Sequence, residues 1–250
     1  MNTNTTASAA THGLPVRGAG WTSVVQGLLI FVPTFVLGAA VDWPASLDDP
    51  ASIALPRLAE NEGAVRFGYF AYLLYSVLFA VTIVLLARLV ERDLTVGIRR
   101  LVVGFAVASA IARSLGIVRW LGPMPELADS YNAASDDSQR FAVASIHEAL
   151  NSYGGTIGEV LGVGLFAAIS IGLLTVGLLR SRTMPRWIAV GGVVSTLALA
   201  LSAVELFAVD LGPVLTVTVT IVQIWFLATG VWLLARGKSL SNSWVLNSQT

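Results

Sequence analysis

The chain has 250 residues, of which 55% are hydrophobic and only 12% are charged. An average soluble domain carries about 25% charged residues, so this composition argues against a soluble fold. Cysteine is absent, which excludes disulfides, thiolate metal sites and cysteine nucleophiles. The formal net charge is zero, so nothing in the composition supports a nucleic-acid partner.

The chain opens with a polar segment followed by an apolar block. Residues 1–20 are rich in Thr, Ala, Asn and Gly and show no periodicity, which predicts a disordered cytoplasmic tail. Trp21–Val41 is apolar and uncharged, and Pro33 inside it predicts a kink. Arg17 and Gly38-Ala39-Ala40 leave a cleaved signal peptide as an alternative. Signal cores run only about 7–15 residues, so the length of the block favours a spanning helix.

Five further apolar blocks follow along the chain. They are Phe67–Ala87, Leu101–Leu121, Tyr153–Leu179, Trp187–Val209 and Leu211–Leu234. Each has about 20 residues, the length at which a helix crosses a hydrocarbon core of roughly 30 Å. The sequence therefore predicts an all-α fold, a bundle of six transmembrane helices over residues 21–236. Residues 237–250 are predicted to form a second cytoplasmic tail.

The distribution of Lys and Arg predicts the orientation. With the N-terminus inside, ten of the fifteen basic residues fall in cytoplasmic segments: Arg17, Arg88, Arg92, Arg99, Arg100, Arg180, Arg182, Arg186, Arg236 and Lys238. Four fall in outer segments, namely Arg57, Arg66, Arg119 and Arg140. Cytoplasmic loops carry the excess of Lys and Arg. We therefore expect a multi-pass membrane protein with both termini in the cytoplasm.

The two long outer connections contain helix signals. Asp48-Asp49-Pro50 combines a capping residue with a proline suited to a first turn, so a short helix is expected there. Asp136-Asp137-Ser138 precedes apolar residues at Phe141, Val143, Ile146 and Leu150. That pattern predicts an amphipathic helix on the outer interface. Gly154-Gly155 is expected to separate this helix from the fourth span.

Ionisable and aromatic residues within the spans are candidates for a ligand pocket. Arg113 and Glu159 have predicted depths of about 12 Å and 9 Å below the outer surface, so they can meet. Glu205 lies near the outer end of the fifth span, and Tyr72 belongs to a row of tyrosines spaced by three. Buried charges in membranes mark functional sites by default. The alternatives are a structural ion pair and an interfacial aromatic belt.

His147 begins a stretch that partly matches a helical zinc motif. In that motif two histidines four residues apart bind the metal beside a catalytic glutamate. Here Asn151 replaces the second histidine, and asparagine is a poor zinc ligand. No metal, cofactor or catalytic residue is therefore predicted, while His147 and Asn151 remain pocket candidates.

Small residues recur at a spacing of four in two spans. The rows are Gly104, Ala108, Ala112 and Gly116 in one span, and Gly154, Gly158 and Gly162 in the other. Such rows allow two helix backbones to approach closely. They predict helix packing, either within one chain or between copies in a homo-oligomer.

Three functions are compatible with these residues. The first is a non-enzymatic membrane module that binds a small or lipid-like ligand or a partner membrane protein. The second is a small-solute transporter, for which Gln26 and Gln223 supply polar groups within spans. The third is a metal-dependent intramembrane enzyme that uses His147 with Glu148. The sequence favours the first, because it contains no phosphate-binding loop and no nucleophile motif.

Short motifs carry a family resemblance. They are Val65-Arg66-Phe67-Gly68, Gly177-Leu178-Leu179-Arg180-Ser181 and Met184-Pro185-Arg186-Trp187. With these motifs the chain resembles the bacterial membrane family catalogued as domain-of-unknown-function family 4386, over roughly residues 20–236. The resemblance implies a polytopic bacterial membrane protein and transfers no catalytic residue.

Overall fold

The computed structural model describes the backbone of residues 4–204 and 214–247 and the side chains within 16–204 and 217–236. In that part of the chain every regular element is helical, which confirms the predicted all-α class. Glu205, one of the pocket candidates, lies outside the described residues.

The α-helices differ widely in length. In chain order they are α1 (Asn4–Leu29), α2 (Phe31–Val41), α3 (Ala51–Glu60), α4 (Glu62–Leu89), α5 (Val96–Leu121), α6 (Pro123–Ala133), α7 (Asp137–Gly155), α8 (Ala167–Arg180), α9 (Arg186–Ser202) and α10 (Val214–Asn247). A 3₁₀ turn at Ala45–Asp48 precedes α3, and a π-helix at Thr156–Phe166 joins α7 to α8.

The described helices include five stretches that are long and apolar enough to cross a membrane. They are Val16–Val41, Glu62–Leu89, Val96–Ala133, Asp137–Arg180 and Val217–Arg236. Apolar side chains such as Phe35, Leu197 and Ile224 are exposed on the surface, as expected of helices in contact with lipid. The chain is a multi-pass membrane protein.

The remaining apolar helix is α9, which falls within the predicted fifth span. Its 17 residues correspond to a length of about 26 Å, somewhat less than the hydrocarbon thickness. The predicted block Trp187–Val209 continues beyond α9 into residues that the structure does not describe.

The first span is interrupted close to Pro33. Helix α1 ends at Leu29 and α2 begins at Phe31, with Ile30 between them. Proline has no N–H group, so Pro33 cannot donate to the carbonyl group of Leu29 four residues earlier. The hydrogen bonding of the helix is therefore interrupted one turn before the proline, where Ile30 keeps helical backbone angles, φ −60° and ψ −29°. The kink at Pro33 stays a prediction.

The predicted break at Gly154-Gly155 is wrong. Thr156 has helical backbone angles, φ −55° and ψ −46°, and the chain continues through the π-helix into α8. Gly154 is buried in this continuous helix and its Cα lies against the side chain of Arg119. The glycine therefore allows a close approach and does not end the helix.

Helices form at both positions where capping signals occur. Asp136 caps α7, because its carboxylate accepts a hydrogen bond from the backbone N–H of Gln139 at 2.9 Å. The hydroxyl of Ser138 and this N–H hold the pKa of Asp136 below its ordinary value. At α3 the expected cap is absent, because Asp49 pairs with Arg57 at 3.2 Å.

The chain contains two compact units. Unit 1 comprises Met1–Leu28, Leu78–Ala108 and Gly164–Thr250, and unit 2 comprises Leu29–Val77 and Ser109–Val163. In unit 1, α9 packs against α8 and α10, and the indole N–H of Trp225 donates to the carbonyl of Ile188 at 2.9 Å.

Unit 2 has its own apolar core. Its buried members are Leu37, Ala51, Leu55, Leu58, Val65, Tyr69, Ile117, Trp120, Met124 and Ala128. They come from α2 to α6, so this core holds the short helix α3 against the ends of the longer helices. The same core positions the aromatic side chains of the candidate site.

Candidate functional site

A small polar cavity lies within unit 2. Its volume is about 20 Å³, which is room for about one water-sized group. It is lined by Trp43, Tyr69, Tyr72, Arg113, Gly116, Ile117, Arg119, Trp120, Gly154, Gly158 and Glu159. Helices α4 and α5 and the helical stretch that runs from α7 into the π-helix supply most of these residues.

Arg119, near the end of α5, is a buried cation in this lining. Its side chain is 7% exposed, and its guanidinium lies 5.5 Å from the ring centre of Trp120. Its Nη2 donates to Oδ1 of Asn151 at 3.2 Å and lies 3.8 Å from Oε1 of Glu159. Its Nε is buried and has no protein hydrogen-bond partner.

Two residues of α7 hold Arg119 in place. The Nδ2 group of Asn151 donates to the carbonyl oxygen of Leu47 at 2.7 Å, which orients the amide oxygen of Asn151 towards Arg119. One turn further on, a Cβ atom on Gly154 would lie 2.6 Å from Cδ of Arg119. Only glycine at position 154 leaves space for this arginine side chain.

Arg113 lies on the same helix as Arg119 and lines the same cavity. It is 4% exposed, and its guanidinium lies 5.9 Å from the ring centre of Tyr75. Glu159, predicted to lie near Arg113, also lines the cavity, and its side chain is 45% exposed. The structure therefore places two guanidinium groups and one carboxylate around one small space.

Aromatic rings form the other walls. Tyr69 stacks on Trp120 with ring centres 5.0 Å apart and planes within 1°. Tyr72 contacts the edge of Trp43 at 5.8 Å and lies 5.8 Å from Tyr75. Of the three tyrosines spaced by three, two line the cavity and the third contacts Arg113.

Glu159 lies within the π-helix, an uncommon element. Runs of i→i+5 hydrogen bonds are rare and occur frequently at functional sites. The 11-residue stretch Thr156–Phe166 also contains Gly158 and Gly162. A π-helix changes which residues share a face, so a helical wheel drawn with 3.6 residues per turn places Glu159 incorrectly.

Several members of the small-residue rows make close contacts between helices in unit 2. A Cβ on Gly116 would lie 2.8 Å from Cα of Gly158, and a Cβ on Gly162 would lie 3.2 Å from Cβ of Ala112. By contrast, a Cβ on Gly104 would meet nothing within 4 Å. Ala108, the remaining member of that row, is half-buried.

His147 is buried, with 2% of its surface exposed, but it does not line the cavity. Neither of its ring nitrogens has a protein hydrogen-bond partner. Asn151, one turn along α7, connects this helix to Arg119. Within the described residues, no group of three His, Asp or Glu side chains is placed to hold a metal ion.

The central role of Arg119 was not predicted from the sequence. The orientation argument placed it in an outer segment, because arginines at helix ends usually extend towards the polar interface. Trp120 and the glycine at position 154 were the available signals. The contacts that bury Arg119, however, are made with Asn151 and Gly154, which lie 32 or more positions away in the chain. Such contacts depend on how the helices pack.

Comparison with protein families gives a match over most of the chain. The family model "Domain of unknown function (DUF4386)" matches residues 19–237. No curated protein and no solved structure matches the chain. The chain therefore belongs to the DUF4386 family, which confirms the resemblance seen in its short motifs.

Proposed function

We propose that this DUF4386 member is a non-enzymatic membrane module that binds a small or lipid-like ligand in the cavity of unit 2. The observation that carries the proposal is the position of Arg113 and Arg119, two buried arginines that line one small space. Charged side chains within membrane spans are costly, at about 2.5–3.5 kcal/mol for a central arginine on insertion scales, and usually mark functional sites.

The surroundings of Arg119 support binding over a closed structural pair. Asn151 and Gly154 hold the arginine in place, yet a cavity of about 20 Å³ remains beside it. Glu159 is nearly half exposed, so the cavity has an edge at the protein surface through which a ligand can enter. Most binding sites are such preformed clefts with a few polar groups.

The topology that we propose has six spans, with α9 as part of the fifth and both termini in the cytoplasm. The excess of Lys and Arg in the α4–α5 and α8–α9 connections together with the adjoining helix ends supports this orientation. Helices α3, α6 and α7 then lie at the outer face of a bacterial inner membrane, and the cavity lies in the outer part of the membrane. A partner membrane protein or a second copy of the chain is an alternative occupant.

The proposal is tested with a variant that fills the cavity without changing its charges. We expect a polar lipid extract of bacterial inner membrane to raise the melting temperature of the purified protein in detergent. Tyr72→Trp should abolish this rise because the larger ring occupies the cavity. Tyr131→Trp, a partly buried tyrosine of unit 2 outside the cavity lining, should leave it unchanged.

Native mass spectrometry of the same samples identifies what is bound. A folded Tyr72→Trp protein that the extract stabilises as strongly as the wild type would place the binding site elsewhere. No stabilisation of the wild type and no bound molecule from the extract would contradict the proposed function itself.

A second candidate function, small-solute transport, is favoured by polar side chains inside unit 1. Ser23, Gln26, Thr82 and Thr229 are buried, and within the part of the chain that the structure describes their side-chain polar atoms have no hydrogen-bond partners. They come from three helices, α1, α4 and α10. Unmatched polar groups in a membrane interior line pathways for ions and solutes.

Helix contacts place three of these side chains at a similar height. Gly27 of α1 lies against Leu227 of α10, and Gly230 of α10 lies against Gly20 of α1, so Ser23 and Thr229 fall between these contacts. Phe79 and Phe226, three residues before Thr82 and Thr229 respectively, make an edge-to-face contact with ring centres 6.1 Å apart. Ion flux into dye-loaded proteoliposomes, lost in Gln26→Leu, would support transport, and no flux above that of empty liposomes would count against it.

A further inference from the structure

The guanidinium of Arg119 has more hydrogen-bond donors than the protein satisfies. An arginine carries five N–H donors in a planar fork. Among the described residues only Asn151 accepts a hydrogen bond from this guanidinium, at 3.2 Å, because the 3.8 Å separation from Glu159 exceeds hydrogen-bond length. The buried Nε has no acceptor in the same part of the chain. Burying the donor of a charged group without an acceptor is unfavourable, so a further acceptor is expected at this position.

The charged residues that line the cavity also favour an anionic ligand. Arg113 and Arg119 contribute two positive charges to the lining, and Glu159 contributes one negative charge. The other described lining residues are glycine, isoleucine and aromatic residues, which carry no charge at neutral pH. The guanidinium of Arg119 therefore favours a negatively charged group in this space.

The size and shape of the space limit the group that can enter. A cavity of about 20 Å³ admits the edge of a small group, and the rest of a larger ligand must lie outside, beyond the exposed Glu159. The planar fork of arginine matches the two oxygens of a carboxylate or phosphate better than a spherical ion.

We propose that the cavity binds an oxyanion, a carboxylate or phosphate group, against the guanidinium groups of Arg119 and Arg113. This proposal rests on the ligand-binding function proposed above and specifies its chemistry. The oxyanion belongs to an anionic lipid headgroup, to a fatty acid or to a soluble anion. Glu159 competes with it, because its carboxylate lies 3.8 Å from Arg119.

Because Glu159 competes with the ligand, removing its charge should raise ligand affinity, whereas removing an arginine should lower it. Glu159→Gln removes the negative charge that lies 3.8 Å from Arg119, so the anion should bind roughly tenfold more tightly. Arg119→Gln should weaken binding at least tenfold, and Arg119→Lys should also weaken it, because lysine keeps the charge but lacks the fork. A residue with a purely structural role would not tighten ligand binding when it is replaced.

The experiment compares each anionic oxyanion probe with a neutral, zwitterionic or non-oxyanion control. Melting temperature and native mass spectra are recorded in a neutral detergent with dodecanoate against its methyl ester. The same measurements compare phosphatidylglycerol with phosphatidylcholine of the same acyl chains, and inorganic phosphate with chloride. Arg66→Gln is the matched control, because Arg66 pairs with Glu62 at 2.6 Å but is exposed and does not line the cavity.

We expect at least one of dodecanoate, phosphatidylglycerol and phosphate to stabilise the wild type and Arg66→Gln more than its paired control does, and to act at lower concentration on Glu159→Gln. Stabilisation by phosphate alone assigns the oxyanion to a soluble ligand, and stabilisation only by the anionic amphiphiles assigns it to a lipid. Equal stabilisation by charged and neutral probes, lost in Tyr72→Trp, would overturn the oxyanion assignment while ligand binding stands.

Chloride that acts as strongly as phosphate and dodecanoate would also overturn it. If no probe stabilises the protein and native spectra from the lipid extract show nothing bound, the proposed function fails as well. If Arg119→Gln does not fold, Arg119→Lys and Glu159→Gln still test the proposal. The proposal requires the first to weaken anion binding and the second to strengthen it.

Discussion

The contact between Gly116 and Gly158 allows a stability prediction with an internal control. A Cβ on Gly116 would lie 2.8 Å from both the carbonyl oxygen of Gly154 and Cα of Gly158, whereas ordinary contacts of a Cβ begin at 3.4 Å. These atoms belong to backbone, so they cannot rotate away as a side-chain end can. Gly116→Ala must therefore move α5 away from the stretch that contains Gly158.

The magnitude follows from a matched substitution in the same helix. Overpacking costs about 1–3 kcal/mol. Replacing glycine by alanine in a helix also gains up to about 1 kcal/mol through backbone entropy. Gly104 lies in α5 and has open space around it, so Gly104→Ala receives the same gain without the clash. We expect Gly116→Ala to be about 1–3 kcal/mol less stable than Gly104→Ala.

The assay is thermal unfolding in detergent, followed by tryptophan fluorescence. For a chain of this size, 1–3 kcal/mol corresponds to a difference of roughly 2–12 °C in melting temperature between the two variants. Gly158→Leu should be more destabilising still, and Leu165→Ile should be mild. Equal melting temperatures for Gly116→Ala and Gly104→Ala would refute the close backbone contact as a source of stability.

Three further predictions concern the charge pair, the helix cap and the topology. Losses of melting temperature in Arg113→Met and Glu159→Gln should be non-additive, because one cavity holds both charges; additive losses in a double-mutant cycle would mean that they do not interact. Asp136→Ala should lower hydrogen-exchange protection at the start of α7, because the variant removes the cap. Since the pKa of Asp136 is depressed, the difference in protection between wild type and variant should be present at neutral pH and vanish as the pH falls through that pKa. Equal protection of the two proteins at pH 7 would rule out the cap. A reporter active only in the cytoplasm should work when it is fused at either terminus or near residues 95 and 183. If the N-terminal fusion is active and the C-terminal fusion is inactive, the chain does not have six spans.

Sequence signals that depend on neighbouring residues were read correctly in several cases. Asp136 caps a helix because the N–H that it binds lies three residues ahead, and Pro33 interrupts a span because it removes a bond to a residue four positions back. The predicted break at Gly154-Gly155 was wrong, because glycine ends a helix or permits a close contact according to what lies beside it.

The candidate site also combines residues that the sequence identified with residues that it did not. Arg113, Glu159 and Tyr72 were candidates from their positions in the spans, and all three line the cavity. Arg119 was assigned to an outer segment, and Glu205 lies outside the described residues. Burial of Arg119 depends on Asn151 and Gly154, which reach it only when α7 packs beside α5.

By itself the sequence determined that this protein is helical and crosses a membrane several times, because hydrocarbon thickness sets the length of each apolar block. Its motifs also identified the family. Only the tertiary structure decided which charges share a space, because that depends on the rotation and separation of helices distant in the chain. In the π-helix around Glu159 even the rotation departs from the regular period, so no wheel drawn from the sequence could place that carboxylate beside Arg119.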